Sequence, residues 1–283
     1  MNSLNDCFTL KNGVRIPCIG YGTWQMPDGD KTRKAVLAAI ESGYRHIDTA
    51  AVYGNERSVG LAIRDSGICR QDIFVTTKLW NTERGYEATL RAFDQSMKLL
   101  GLDYCDLYLI HWPNPIGFRE CWQQKNAESW RAMERLYAEG RIRSIGISNF
   151  RRHHIEALLQ TANIMPMVNQ LRLNPAERQI ETTAYCQALG MLLEAYSPLG
   201  TGNLLDQPEV LQIAQALNRS PAQILIRYSI QKGYLPLPKS VSAERIRTNT
   251  QVFDFALTDM DMESLESLEG RLGVSNNPDT TDF

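Results

Sequence analysis

Four polar side chains that follow apolar runs of the sequence could together carry out acid–base chemistry. Lys78 comes directly after one such run, and a buried ammonium is costly unless it is paired. Asp48 ends the preceding run and is the natural partner, while Tyr53 comes five residues later and His111 ends a third run. A phenol is a poor proton donor at neutral pH, and a nearby lysine cation lowers its pKa. The pattern therefore predicts Tyr53 as a general acid.

Each of these side chains, taken alone, has a simpler structural explanation. A loop tyrosine usually lies at the surface or in the core, a lone histidine is usually structural, and an Asp–Lys pair is usually an ion pair. The catalytic interpretation depends on all four lying at one mouth of the fold, where perturbed groups cluster at functional sites.

The elements that would position them are eight short apolar or β-branched runs spread along the whole chain. Amphipathic segments lie between them; in the clearest, Leu90, Phe93, Met97 and Leu100 follow helical spacing and end before Gly101. Strands separated by helices pair in parallel through crossovers. The pattern predicts an α/β fold, a single (β/α)8 TIM barrel domain over 1–283. The predicted strands are 19–23, 44–48, 73–77, 106–110, 143–147, 167–170, 191–195 and 235–238.

Several additions to the barrel are also expected. Runs at 8–10 and 14–16 flank Asn12-Gly13, which predicts a β-hairpin lid before the first barrel strand. An extra C-terminal helix is expected before a polar tail. Long loops after strands 4 and 7 would lie at the C-terminal face, where barrel loops build active sites. The loops cover 113–127 and 197–207, and the tail covers 275–283.

A phosphate site is indicated late in the chain. Neither a G-x-G-x-x-G segment after a strand nor a G-x-x-x-x-G-K-[ST] segment occurs. Instead, Lys239 and Ser240 follow the eighth strand, with Arg245 and Asn249 expected one and two turns into the next helix. Helix N-termini near strands 7 and 8 commonly bind phosphate in this fold. The alternative is a solvated basic helix face.

Three tryptophans each follow a strand end, namely Trp24, Trp80 and Trp112. Tryptophan is usually a core residue. Three of them on the loop face are better explained as walls of an apolar substrate pocket.

Composition narrows the class of protein. The 283 residues carry 30 Lys and Arg against 32 Asp and Glu, a formal charge of −2, so neither a nucleic-acid partner nor an anionic membrane surface is expected. No apolar run approaches the roughly 20 residues of a membrane span, and the start lacks a signal-peptide pattern. A cytoplasmic location is expected. The six cysteines are scattered, without metal-ligand spacing, and are interpreted as reduced thiols.

Several segments, in this order, resemble the aldo-keto reductase family over nearly the whole chain. The resemblance implies a metal-free, monomeric carbonyl reductase with NADPH/NADP+ as cofactor and a small carbonyl compound as substrate. The segments are GYRHIDTAAVYGNE (43–56), FVTTKLW (74–80), DLYLIHWP (106–113), IGISNF (145–150), VNQ (168–170), AYSPLG (195–200) and PKSVSAERIRTN (238–249).

The resemblance also implies a role for each matching residue. Tyr53 would protonate the carbonyl oxygen, Lys78, held by Asp48, would lower the pKa of Tyr53, and His111 would orient the carbonyl. The basic side chains of Lys239 and Arg245 would select the 2′-phosphate of NADPH. The substrate-binding residues implied are Trp24, Tyr53, Trp80, His111 and Trp112. The cofactor-binding residues implied are Thr23, Trp24, Asp48, Ser148, Asn149, Gln170, Tyr196, Ser197, Pro198, Leu199, Lys239, Ser240, Val241, Arg245 and Asn249.

The sequence departs from the family pattern at a few positions. Where many members read N-Q-V-E-F-H-P, this chain has NQLRLNP, with Arg172 and Asn174 at the differing positions, which makes the rim near strand 6 unusual. Thr248 stands where many members have Glu, so an adenine contact is lost. The short tail is expected to leave the pocket open and the specificity broad.

The leading hypothesis is an NADPH-dependent reductase of aldehydes and small α-dicarbonyls such as methylglyoxal. A reductase of a diketo-sugar acid such as 2,5-diketogluconate, or a prostaglandin F synthase-like activity, is the alternative within the same chemistry. A non-enzymatic NADPH-binding regulatory subunit stays open and is disfavoured by the intact Tyr53–Lys78 pair. A metal-dependent barrel hydrolase would need ligand-spaced histidines, for which the adjacent His153 and His154 give little support.

Overall fold

An antiparallel hairpin of strands β1 (Cys7–Thr9) and β2 (Arg15–Pro17) opens the chain in a computed structural model that describes residues 1–273 and 276–283. Phe8 pairs with Ile16, and Gly13 in the turn has a φ of +82°, which glycine adopts without strain. The Asn12 side chain donates to the carbonyl oxygen of Arg143 at 2.9 Å, just before a barrel strand begins. The predicted hairpin is confirmed, and it covers the N-terminal ends of the barrel strands.

Eight parallel strands then pair in sequence order into one sheet. Gly20 N–H donates to Pro236 O at 3.0 Å and Gly22 N–H to Pro238 O at 3.1 Å, which joins the first barrel strand to the last. The predicted (β/α)8 barrel is confirmed. Its strands are β3 (Tyr21–Gly22), β4 (His46–Asp48), β5 (Phe74–Leu79), β6 (Leu107–Ile110), β7 (Ile145–Ser148), β8 (Val168–Arg172), β9 (Leu192–Tyr196) and β10 (Leu235–Leu237).

Helices cover the outside of the barrel. Phe93, Met97 and Leu100 face the core, and Gly101 ends their helix with a φ of +65°, as its spacing predicted. The helices are α1 (Asp30–Glu41), α2 (Glu56–Asp65), α3 (Tyr86–Leu100), α4 (Trp122–Ala138), α5 (Arg152–Leu159), α6 (Ile180–Ala188), α7 (Pro208–Leu217), α8 (Pro221–Gln231), α9 (Ala243–Thr248) and α10 (Asp259–Glu266).

The extra C-terminal helix is confirmed as α10. Its residue Leu265 is buried in a second apolar cluster, with Val210 from α7 and Ile224 from α8. Because α7 is an addition between β9 and α8, this cluster extends the main core beyond the regular barrel. Within residues 1–273 and 276–283, no helix combines the length and the apolar character that crossing a bilayer requires.

The long loops differ in part from expectation. The segment 197–207 contains only a short 3-10 helix, Gly200–Gly202, before α7 begins, as predicted. The loop predicted over 113–127 is wrong at its C-terminal half: a 3-10 helix, Ile116–Cys121, runs directly into α4 at Trp122. Of the predicted tail, residue 275 lies outside the described residues, and residues 276–283 pack against the mouth of the barrel.

Candidate active site

The four predicted acid–base residues meet at the C-terminal ends of β4, β5 and β6. The Lys78 ammonium donates to Asp48 Oδ1 at 2.7 Å and to the Thr49 carbonyl oxygen at 2.9 Å. Its nitrogen also lies 3.4 Å from the Tyr53 hydroxyl oxygen. Lys78 is fully buried, whereas Tyr53 is half-buried on a 3-10 turn after β4. One buried cation thus contacts both a carboxylate and a phenol.

Burial and charge act against each other in this trio. Burial alone would lower the pKa of Lys78, but the Asp48 carboxylate and Tyr53 raise it above its ordinary value, so the ammonium stays charged. Burial raises the pKa of Tyr53 above its ordinary value of 10, and Lys78 opposes that rise. The net direction for Tyr53 is opposite to the lowering expected from the sequence, because burial outweighs the ammonium.

His111 faces Tyr53 edge to face, with 5.9 Å between ring centroids, and Trp80 at 5.2 Å. Burial, together with the positive charges of Lys78 and Arg84, lowers the pKa of His111 well below its ordinary value of 6.5. The imidazole is therefore neutral at neutral pH. A neutral ring that carries its proton on Nε2 can donate one hydrogen bond into the cleft.

The sequence reading did not single out Arg84, which lies in the loop after β5 and is almost fully buried. Its guanidinium donates to the Trp112 carbonyl oxygen, and to side-chain oxygens of Asn81 at 3.3 Å and Asn126 at 3.4 Å. Burial lowers the pKa of Arg84 to about 9, so it stays charged at neutral pH. Its hydrogen-bond partners are neutral, and its positive charge contributes to the lowered pKa of His111.

A second missed residue is Glu194, a carboxylate inside the apolar run of β9. Gln170 Nε2 lies 2.7 Å from Glu194 Oε2 and 2.9 Å from Asp48 Oδ2, so both of its N–H groups are used. The Gln170 oxygen Oε1 makes no hydrogen bond to the described residues, and Gln170 lines the cleft. The Asp48 carboxylate and the Glu194 carboxyl group thereby fix which end of this amide faces the cleft. A charged residue in an apolar strand was the available signal.

Asn149 joins three strand ends. Its backbone is left-handed, with a φ of +63°, a conformation that asparagine tolerates better than most residues. The amide nitrogen donates to His111 O at 3.0 Å and lies 3.1 Å from Ser148 Oγ, while the amide oxygen accepts from the Tyr196 hydroxyl at 2.8 Å. These bonds hold the ends of β6, β7 and β9 together around the mouth.

A cleft of about 1310 Å³ runs from Tyr53 and His111 to α9 and brings together most of the predicted site residues. Thr23 and Lys78 are the exceptions, because both are fully buried and neither lines the cleft. The Thr23 hydroxyl donates to the Asp48 carbonyl oxygen at 2.9 Å, and Lys78 lies behind Tyr53 and Asp48. The predicted residues that line it are Trp24, Asp48, Tyr53, Trp80, His111, Trp112, Ser148, Asn149, Gln170, Tyr196, Ser197, Pro198, Leu199, Lys239, Ser240, Val241, Arg245 and Asn249.

The far end of the cleft carries the predicted basic pair. Lys239 and Arg245 are exposed, and Arg245 Nε lies 3.3 Å from the buried Ser240 Oγ. Asn249 lies directly after the six-residue α9 rather than two turns inside a helix, and its side chain is buried at the cleft. Two cations beside a hydroxyl and an amide form a cradle suited to one phosphate group.

The near end has aromatic walls. Trp112 is buried and Trp24 is 45% exposed at the cleft edge. The Phe283 ring stacks on Trp80, with centroids 6.0 Å apart and planes at 22°, and meets Trp112 edge to face at 4.9 Å. The tail, although short, therefore contributes a wall of the cleft.

The sequence profile of the Aldo/keto reductase family matches residues 18–269. The chain belongs to the aldo/keto reductase family. An aldo/keto reductase is an oxidoreductase acting on carbonyl groups, so the enzyme class expected from the sequence is confirmed.

Individual aldo/keto reductases match along almost the full length of this one. An uncharacterized oxidoreductase, YtbE, of Bacillus subtilis (strain 168) is 49% identical over 279 residues, which cover 97% of either chain. A glyoxal reductase of the same organism is 46% identical, with 98% of each chain covered. The solved structure of a Gox0644 mutant in complex with NADPH has a TM-score of 0.91 at 36% identity and covers 99% of each chain.

The positions where this aldo/keto reductase departs from the family pattern lie at the cleft or next to it. Arg172 lines the cleft and pairs with Glu177 at 3.3 Å, and the Asn174 amide nitrogen lies 3.3 Å from the Ser197 carbonyl oxygen. Thr248 also lines the cleft, but its hydroxyl donates to Glu244 O within α9. Of these three residues, Asn174 contacts the loop after β9, whereas the contacts of Arg172 and Thr248 lie elsewhere on the cleft.

Proposed function

We propose that this aldo/keto reductase uses NADPH to reduce aldehydes and small α-dicarbonyls of the glyoxal and methylglyoxal type. The observation that carries the proposal is the phenol of Tyr53, 3.4 Å from a buried Lys78 ammonium, at a cleft shared with a neutral His111. A buried cation held against a phenol stabilises the phenolate that proton donation leaves behind.

The residues of the cleft fit a nicotinamide dinucleotide phosphate. Gln170 presents its free amide oxygen Oε1, an acceptor for the N–H groups of a carboxamide. The Tyr196 ring lines the cleft nearby, fixed through its hydroxyl. Lys239 and Arg245 form the phosphate cradle at the other end. The NADPH complex of Gox0644, an overall fold match, supports the same cofactor for this chain.

NADPH, when bound, would supply the hydride that reduces the carbonyl carbon. The protein's own residues then manage one proton. His111 would donate a hydrogen bond to the carbonyl oxygen and hold it beside Tyr53. Tyr53 would give its hydroxyl proton to that oxygen as negative charge develops there. Lys78, held in place by Asp48, would stabilise the tyrosinate, and the tryptophan walls would keep water from competing for the oxygen.

The walls of the pocket favour a small substrate. Trp80, Trp112 and Phe283 give an apolar surface beside His111, which suits a short aldehyde or dicarbonyl better than a polyhydroxylated sugar acid. The relative that is a glyoxal reductase, at 46% identity, supports the same substrate class. We therefore propose methylglyoxal-type dicarbonyls ahead of a diketo-sugar acid.

The test is NADPH oxidation by the purified protein with methylglyoxal, phenylglyoxal and p-nitrobenzaldehyde. Wild type should turn over, and Tyr53→Phe should lose about 10²-fold or more in kcat while NADPH still quenches tryptophan fluorescence. Tyr185→Phe, whose ring packs on Arg152 outside the cleft, is the matched control and should be unaffected. Unchanged turnover in Tyr53→Phe would refute the acid, and NADPH binding without any wild-type turnover would favour the regulatory-subunit alternative.

A further inference from the structure

The C-terminal residues 276–283 are anchored to the barrel mouth through Asp279. Asp279 Oδ1 lies 2.8 Å from His154 Nε2, 3.3 Å from His153 Nε2 and 3.3 Å from Asn114 Nδ2. His154 is fully buried, and Asn114 is 5% exposed in the loop after β6. One carboxylate oxygen of the tail therefore meets side chains from the start of α5 and from the loop after β6.

The hydrogen-bond pattern fixes the tautomer of His154. The Arg151 N–H group donates to His154 Nδ1 at 3.1 Å, so that nitrogen carries a lone pair and the ring proton resides on Nε2. Burial lowers the pKa of His154 to about 4, which keeps the ring neutral. Its single N–H group is therefore aimed at Asp279.

The tail continues from this contact to the aromatic wall. The Arg119 guanidinium donates to the Thr281 carbonyl oxygen, and Ile116 N–H donates to Phe283 O at 3.3 Å. The ring of Phe283 then lies against Trp80 and Trp112. Residues 279–283 thus contact the barrel at three successive points, through the Asp279 side chain, through the backbone of Thr281 and Phe283, and through the Phe283 ring.

We propose that Asp279 is a positioning residue whose hydrogen bond to His154 holds Phe283 in the wall of the substrate pocket and so limits the size of the accepted carbonyl compound. This inference rests on the proposed reductase function. Asp279 touches neither the acid–base residues nor the phosphate cradle. Its loss should therefore change which substrates enter and leave cofactor binding unaltered.

His153, His154 and Asp279 also offer ligand atoms within 4.8 Å of one another, a spacing that could hold a metal ion. The hydrogen bonds of His154 favour a metal-free contact with Asp279 instead; this His154–Asp279 contact is called the clasp. A metal at His154 Nε2 would need the proton moved to Nδ1, where it would oppose the Arg151 N–H group. A divalent cation is thus an alternative that the experiment must separate.

The experiment compares Asp279→Ala, Phe283→Ala and Asp279→Asn with wild type, and Asp282→Ala, an exposed tail position, is the matched control. The readout is the ratio of kcat/KM for a bulky naphthaldehyde to that for methylglyoxal. Asp279→Ala and Phe283→Ala should each raise the ratio about fivefold through a lower KM for the bulky aldehyde. Asp279→Asn still presents an oxygen to His154 and should restore the wild-type ratio. NADPH affinity should be constant throughout.

Acrylamide quenching of tryptophan fluorescence gives a second readout that needs no turnover. Asp279→Ala should expose Trp80 and Trp112 to quencher as Phe283→Ala does, so the clasp is testable even if the proposed reduction fails. A ratio and quenching in Asp279→Ala equal to those of Asp282→Ala would overturn the proposal. So would an EDTA-sensitive ratio that Zn²⁺ restores, because the clasp would then be a metal site.

Discussion

The side-chain N–H group of Gln170 donates to the Glu194 carboxyl group across 2.7 Å, between neighbouring strands inside the barrel. Glu194 is fully buried, and burial together with the negative charge of Asp48 raises its pKa to about 8. A group that takes up a proton on folding links stability to pH. The burial of Glu194 should therefore be measurable in the pH dependence of the free energy of unfolding, independently of the reaction.

Glu194→Gln should flatten the pH dependence of stability. Between the ordinary carboxyl pKa of 4.5 and about 8, the unfolded chain releases a proton that folded Glu194 retains, so the free energy of unfolding of wild type falls as pH rises. The slope from this group is up to about 1.4 kcal/mol per pH unit. Urea unfolding at several pH values in that window measures it. Parallel curves for the variant and wild type would contradict the assignment.

The reduction rate should be insensitive to pH across the neutral range. Proton donation requires protonated Tyr53, and burial raises its pKa above 10, so kcat/KM for reduction should be lost only as pH rises through that higher value. The neutral state of His111 adds no limb near its ordinary pKa of 6.5. A pH profile with methylglyoxal tests both, with Tyr185→Phe as the control. A limb centred near pH 7 would disprove the direction given for Tyr53.

Removing the basic pair should erase the preference for NADPH over NADH. Lys239→Ala and Arg245→Ala each remove a charge-assisted contact to a phosphate, a loss of about 1.5 to 3 kcal/mol and hence of tenfold or more in NADPH affinity. NADH affinity should be unchanged. Arg247→Ala, on the same helix but off the cleft, is the matched control. Equal losses for both nucleotides would indicate a general electrostatic effect.

Gly60→Ala should destabilise the fold. A Cβ at Gly60 on α2 would lie 1.9 Å from the carbonyl oxygen of Leu100 at the end of α3, a backbone atom that cannot move aside cheaply. Overpacking of this kind costs typically about 1 to 3 kcal/mol. A Cβ added at Gly117 would meet no atom of the described residues within 4 Å other than its chain neighbours, so Gly117→Ala is the control. Thermal unfolding of the two variants compares them, and an unchanged midpoint for Gly60→Ala would contradict the close helix packing.

The barrel and the position of its acid–base residues follow from local patterns. Each strand is a short apolar run between amphipathic segments, and parallel strands in a barrel bring all their C-terminal ends to one face. Asp48, Lys78 and His111 could therefore be assigned to one mouth before any distance was known. Because β4, β5 and β6 are neighbours in the sheet, their side chains come together without any contact between distant parts of the chain.

Other features depend on contacts that the sequence pattern does not encode. The net pKa of Tyr53 depends on how deeply it is buried, which the nearby lysine does not reveal. Asp279 reaches His154 from 125 residues away, and only the docked tail brings them together. Glu194 carried a usable signal, a charged residue within an apolar run, whereas Arg84 stands in a polar segment and carried none. The partners of both residues come from separate loops and strands. The geometry of those partners decides their influence on His111 and Gln170.

The N-terminal hairpin gives the barrel one sealed end and one open end. Asn12 fastens it at the floor, below β7, while every group proposed to handle the proton sits at the opposite rim. Reactants would then reach these groups through the cleft at the C-terminal face. The hairpin and the proton-handling groups thus lie at opposite ends of the barrel, so substitutions in the hairpin should leave the contacts of Lys78 and Tyr53 in place.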